Sequence, residues 1–216
     1  MKAMLLQEIA SLKQNPVPLS FEEMAEPDLG EGEVLIRVTR CGVCHTELDE
    51  IEGRTPPPRL PTVLGHQVVG IIEEGENNGQ RVGVAWIASA CGKCSHCLAG
   101  NENLCNKFKA TGRDVDGGYA EYMKVCADFV HPIPEIFSDS EAAPLLCAGA
   151  IGYRSLRLSN IADGQSLGLM GFGGSNHLVL KIARHKFPNT EIFVFSRNPE
   201  EREFALSLGA AWAGAI

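Results

Sequence analysis

Apolar and polar positions change period partway along this chain of 216 residues. Before about residue 130 the pattern is short and strand-like. Val34, Ile36 and Val38 alternate with polar neighbours across 33–40, and comparable stretches fall at 67–73, 80–87 and 119–125, each set off by Gly or Pro. A series of this kind predicts a partly open β-barrel or a sandwich. From Ser138 the period lengthens. Ser138 with Glu141 three residues later has the form of a capping box and predicts an Ala- and Leu-rich helix running to about Leu158. Then come an Asp163-Gly164 turn, a buried strand over 165–170, a helix over 176–186, a strand over 191–195 and a helix over 199–208 closed by Gly209. The order β-α-β-α opens a doubly wound parallel sheet. The fold class is therefore α/β with a β-rich first domain, residues 1–158, and a dinucleotide-type second domain, 159–216, that ends before a third strand can form. An incomplete sheet leaves parallel edges that another chain would need to cover, so a homo-oligomer is expected.

Composition narrows the function. With 44% hydrophobic residues the chain can bury one good core or two smaller ones, and a formal charge of −8 disfavours a nucleic-acid surface. The apolar run at the N-terminus is broken at Gln7 and Glu8, so neither a signal peptide nor a membrane span can be drawn. A cytoplasmic protein without a membrane or nucleic-acid partner is expected.

Four thiols crowd the polar stretch CGKCSHCLAGNENLC: Cys91, Cys94, Cys97 and Cys105. Disulfides at this spacing would close loops of only a few residues, with poor geometry and little entropic gain. Four thiolates around one tetrahedral Zn²⁺ suit it better.

Between the predicted strand at 165–170 and the following helix lies Gly171-Phe172-Gly173-Gly174-Ser175-Asn176, a G-x-G-x-x-N variant of the dinucleotide fingerprint. Backbone N–H groups and a helix dipole there can face a pyrophosphate, while Asn176 should hinder close packing of strand and helix. Where an NAD site usually offers an acid to the ribose, this chain has Ser196 and Arg197. A hydroxyl and a guanidinium suit a 2′-phosphate, so NADP(H) is preferred over NAD(H).

Cys44 follows a predicted strand, His66 precedes one, and Cys147 lies in the helix expected after Ser138. Each alone has an ordinary structural explanation. Together they match the ligand set of a catalytic zinc with an open fourth position.

The segments CGVCHTELD, LPTVLGHQVVG, RVGVAWIASACGKCSHC, GNENLC, DGGYAEYM, APLLCAGAIGYRSL and GFGG occur in an order that resembles the zinc-dependent medium-chain alcohol dehydrogenases. The resemblance implies a GroES-like catalytic domain joined to a Rossmann domain, here incomplete. It implies two zinc ions per chain, one catalytic on Cys44, His66 and Cys147 and one structural in the lobe at 91–105. His45 falls where that family sets a cation against the cofactor pyrophosphate, Thr46 where a hydroxyl bonds the substrate alcohol, and Trp86 where an aromatic ring walls the substrate pocket. Glu47 matches an acid that orients the His66 ring. The implied reaction is hydride transfer between a small primary alcohol or aldehyde and a nicotinamide cofactor, with zinc as Lewis acid. Departures touch the catalytic machinery: Gln67 replaces a usual Glu, and Asp49 stands where a relay His is common, which alters the proton route past Thr46. Cys41 and Cys126 are read as core thiols. Length also departs, so the chain is expected to be a fragment without turnover by itself; the alternative is a non-enzymatic zinc-binding domain or assembly unit.

Overall fold

The structure, a computed structural model, describes residues 1–215. Along the first unit run β1 (Lys2–Leu6), β2 (Leu19–Glu23), β3 (Glu33–Cys41), α1 (His45–Ile51), β4 (Thr62–Val63), β5 (Val68–Glu74), β6 (Arg81–Val84), β7 (Ile87–Ser89), α2 (Ser95–Leu98), β8 (Lys109–Ala110), β9 (Tyr122–Cys126), β10 (Val130–Pro132) and α3 (Asp139–Ala142). The second holds α4 (Ala148–Leu158), β11 (Ser166–Met170), α5 (Gly174–Lys186), β12 (Glu191–Phe195), α6 (Pro199–Ser207) and β13 (Trp212–Gly214).

In the first unit a five-stranded antiparallel sheet in the order β10-β6-β5-β3-β9 carries the core, with Val34, Ile36, Val68, Ile72, Val82, Val84, Met123 and Val125 all buried. Register shifts within the β3/β5 pair bend the sheet, as bulges do, and give the expected open barrel its curl. The structure adds to the sequence expectation here. The N-terminal run forms β1, which pairs with β2 and β4, and the predicted strand over 80–87 is divided into β6 and β7 around Ala85 and Trp86. These extra elements are short and irregularly patterned, so periodicity does not reveal them.

The helix expected from Ser138 to Leu158 is not continuous. Ser138 does cap α3, its hydroxyl accepting from Glu141 N, but a 3₁₀ segment covers Ala143–Leu146 and Cys147 leaves helical geometry at φ −125° and ψ −73°. Pro144 removes a helical donor and disfavours helix in the residue before it. The break is also a boundary: the compact units are Met1–Cys147 and the remainder from Ala148. The expected boundary at 158/159 therefore lies eleven residues late. Gly152 explains why, since a Cβ there would come within 2.7 Å of Val179, so α4 lies tight against α5.

In the second unit β11, β12 and β13 form a parallel sheet over a core that includes Leu169, Phe172, Leu180, Ile192 and Val194. A third strand does form, contrary to expectation: Trp212, Ala213 and Gly214 pair with Phe193, Val194 and Phe195. Gly209 makes the turn into it at φ +92°, where a Cβ would collide with the Arg184 guanidinium that caps the Gly209 carbonyl. Among the described residues no helix is long and apolar enough to cross a membrane.

Candidate functional site

Local geometry brings three distant ligands together in the first unit. Cys44 is the N-cap of α1, where its backbone N–H donates to Glu47 Oε2 at 2.7 Å. His66 follows Gly65, whose φ of +99° and close approach to Tyr119 and Cys41 leave no space for a side chain. Cys147 is held by the 3₁₀ segment before it, where Leu146 packs with Val69 and Ala142 on the sheet. Asp139 ties α3 down as well, accepting from Arg81 Nε at 2.7 Å and from the Thr39 hydroxyl; those two bonds hold its carboxyl below the usual range.

The ligand atoms of Cys44, His66 and Cys147 lie within 4.8 Å of one another, with the two sulfurs 3.8 Å apart. Sulfurs bound tetrahedrally to one zinc at about 2.3 Å stand roughly 3.8 Å apart, whereas a disulfide is closed at about 2.05 Å. The donor set suits zinc in chemistry as well as spacing. Hydrogen bonding with Cys147 pulls the Cys44 thiol down to about 3, while the same contact, with burial, pushes Cys147 far up. The contact thus favours the thiolate on one member of the pair, the form a metal requires. Burial acts to lower the His66 pKa, but hydrogen bonding to Cys44 and Glu47 outweighs it and raises the ring to about 9.

Glu47, 2% exposed, sets Oε1 2.7 Å from His66 Nδ1, which leaves Nε2 as the nitrogen for a metal. Thr46 Oγ1 stands 3.5 Å from Cys44 Sγ. Trp86 meets the His66 ring edge-on with centroids 5.0 Å apart, fixed by Thr111, which bonds the Ala85 and Trp86 carbonyls. Gln67 is buried against Gly42. Asp49 pairs with Arg54, a competing partner for any proton relay, and His45 is exposed at the start of α1. Burial pushes Cys41 up to about 12, consistent with a core thiol beside Cys44.

Sequence reading misses two side chains here. Glu50, one turn beyond Glu47, is fully buried with neither carboxylate oxygen bonded among the described residues; burial first and Glu47 second raise it to about 8. Its i+3 relation to Glu47 was visible, but its burial was not. Arg113 sets its guanidinium 5.5 Å from the centroid of Trp86 and 5.9 Å from that of Phe108, while pairing with Asp114 at 2.8 Å.

The second cluster gathers Cys91, Cys94, Cys97 and Cys105 with ligand atoms within 4.8 Å; Cys94 and Cys97 lie 3.5 Å apart, Cys91 and Cys97 3.9 Å. Backbone N–H groups of Cys91 and Lys107 donate to Cys105 Sγ. All eight cysteines are free, so a four-thiolate zinc site fits and a disulfide pair does not.

In the second unit Gly171 takes φ +77°, and a Cβ at Gly171 or Gly173 would meet nothing within 4 Å, so the turn is open above its backbone as a phosphate cradle must be. Asn176 does not merely obstruct: its Nδ2 donates to the Met170 and Gly171 carbonyls at 2.8 and 2.9 Å and ties strand end to helix start. Ser196 is buried and Arg197 exposed.

The first unit thus sets a Cys-His-Cys cluster beside a curled antiparallel sheet, and the second carries a glycine turn that opens a parallel sheet. Residues 30–135 match the alcohol dehydrogenase GroES-like domain. The chain is 45% identical over 207 residues to the probable alcohol dehydrogenase AdhA of Mycobacterium tuberculosis, covering 91% of this chain and 59% of that protein. An alcohol dehydrogenase of Geobacillus stearothermophilus is 40% identical over 208 residues, covering 93% and 61%. Among solved structures, a cinnamyl alcohol dehydrogenase of Sorghum bicolor superposes with a TM-score of 0.85 at 30% identity, covering 98% of this chain and 63% of that one. The chain thus spans about three fifths of the length of these curated relatives.

Proposed function

We propose that this chain carries the zinc-binding catalytic domain and the dinucleotide turn of an enzyme that passes hydride between a primary alcohol or aldehyde and a nicotinamide cofactor. The observation that carries the reading is the cluster of Cys44, His66 and Cys147, with His66 buried and both thiols partly exposed, three protein ligands that leave a tetrahedral metal one open position. Zinc held there supplies Lewis-acid polarisation of the substrate oxygen. The chain's own residues do the rest. Glu47 fixes the His66 ring so that one nitrogen faces the sulfurs. Thr46, beside Cys44, receives the proton of a bound alcohol on its hydroxyl and hands it outward. Asp49 shares its carboxylate with Arg54, so the next acceptor beyond Thr46 is solvent. Trp86, backed by Arg113, walls the site against water and presents an apolar face to the substrate carbon.

A second zinc on Cys91, Cys94, Cys97 and Cys105 serves structure, since that closed set leaves no open position. Arg197 is exposed beyond β12 and Ser196 is buried, so of the pair that suggested a 2′-phosphorylated cofactor only the guanidinium is freely accessible.

Elemental analysis of the purified chain should give two zinc ions per molecule, and Cys147→Ser should give one. With cobalt in place of zinc, adding a primary alcohol should shift the visible ligand-field bands in the wild type and leave Cys147→Ser unchanged. A wild-type spectrum indifferent to alcohols and aldehydes would overturn the catalytic reading while leaving the metal content intact.

A further inference from the structure

The residues following β12 lie beside the glycine turn, because Gly171 N donates to the Phe195 carbonyl at 2.7 Å. A ribose extending from a pyrophosphate on that turn meets this strand end. The group waiting there comes from a different element. Glu201, in the first turn of α6, reaches back so that its Oε2 accepts from Phe172 N at 3.3 Å and from the Ser196 hydroxyl. Both bonds fall on Oε2, and Oε1 has no partner among the described residues. Asn198 caps the helix by accepting from Glu200 N, Pro199 follows it, and Arg202 Nη1 bonds the Ser196 and Arg197 carbonyls at 2.9 and 3.0 Å. The loop is therefore fixed with a carboxylate at its inner face, and the Ser196 hydroxyl is committed to that carboxylate.

We propose that Glu201 reads the adenosine ribose, accepting a hydrogen bond from the free 2′-hydroxyl and excluding a 2′-phosphate, so that the nucleotide class is NAD(H). This reverses the preference expected from Ser196 and Arg197 in the sequence alone. It rests on the reading of the Gly171 to Asn176 turn as a dinucleotide site. A phosphate at the 2′ position would face the negative charge of Glu201 and find no donor on Ser196. Arg197 offers compensation only from the exposed side of the loop.

The test is calorimetric binding of ADP-ribose and of its 2′-phosphorylated counterpart to the zinc-loaded 216-residue chain. Wild type should favour ADP-ribose by roughly tenfold to a hundredfold, the range for one charge-assisted hydrogen bond. Glu201→Gln, which keeps the shape and an acceptor for Phe172 N, should reduce that ratio about tenfold or more with an unchanged far-ultraviolet spectrum. Ser196→Ala should retain the preference, since the carboxylate stays. A wild-type preference for the phosphorylated ligand, or a ratio unaffected by Glu201→Gln, overturns the role of Glu201 while leaving a dinucleotide site in place. No binding of either ligand to wild type overturns the reading of the turn, and this inference with it. The wild-type ratio decides the point even if a variant fails to fold.

Discussion

Glu47 and Glu50 stand one turn apart on α1, and both are buried, yet only Glu47 has a partner. The contrast sets two predictions. Glu47→Gln keeps an acceptor for His66 Nδ1 but removes the charge that makes the ring a better donor of electrons to a metal, so zinc affinity at Cys44, His66 and Cys147 should fall about tenfold to a hundredfold. Competition with a chromophoric chelator measures it, and the four-cysteine site is the internal control. Glu50 bears on stability instead. Its pKa rises from an ordinary 4.5 to about 8, so between these values the folded protein keeps a proton that the unfolded chain has released. Stability conferred by the protonated form is complete below about pH 4.5 and declines as pH rises toward 8. Glu50→Gln cannot ionise and should gain about 1–3 kcal/mol over wild type at pH 8, the cost of an unmet buried polar group, with little gain at pH 5. Urea midpoints at equal zinc loading decide it, and a pH-independent difference would count against the mechanism. The thiols and His66 are legible in the sequence because spacing and residue type nearly determine their chemistry. Glu50 and Glu201 are not, since their significance comes from burial and from partners that arrive through folding, such as Phe172, twenty-nine positions from Glu201.

Among the elements, the segment from Cys91 to Cys105 has the least apolar support. It holds a four-residue α2 and a single 3₁₀ turn, and Leu98 and Leu104 are 77% and 50% exposed. Among the described residues it has no packing comparable to that under β3 and β5, so a zinc ion bound by its four thiolates would supply its order, on the order of 10 kcal/mol for structural zinc sites. Chelation should therefore abolish hydrogen-exchange protection of the Leu98, Ala99 and Gly100 amides, which bond within the lobe, while amides of β3 paired with β5 remain protected. Equal loss in both would show that the sheet depends on the same ion. The lobe was readable from spacing alone, and so were β3, β5, β9 and the β-α-β-α order, where periodicity is strong. Cys147 was misplaced in a continuous helix because capping at Ser138 and the apolar run beyond it are both genuine; Pro144 divides them, and the division is what presents the thiol to Cys44.

For the whole molecule, the two units have separate buried cores, one around Ile36, Ile72 and Met123 and the other around Leu180, Ile192 and Val194. All seven metal-ligand candidates precede Ala148, and the glycine turn and Glu201 follow it. The sequence suggested two domains but set their border at the end of α4, since an amphipathic helix does not announce which core receives its apolar face. Gly152 against Val179 settles that locally. Anything that binds only the folded form stabilises the unit it binds, by about 2.7 kcal/mol at a hundredfold excess over its dissociation constant. Zinc removal should thus lower the unfolding temperature reported by exchange in β5 and β9, while ADP-ribose at a hundredfold excess should raise the one reported by β11 and β12. Mass-resolved hydrogen exchange along a thermal ramp distinguishes the two sets of peptides in one experiment. If ADP-ribose protected β5 and β9 as strongly as β11 and β12, the nucleotide's stabilisation would not be confined to the unit that carries the glycine turn, and ligand linkage would have to be assigned to the chain as one cooperative body.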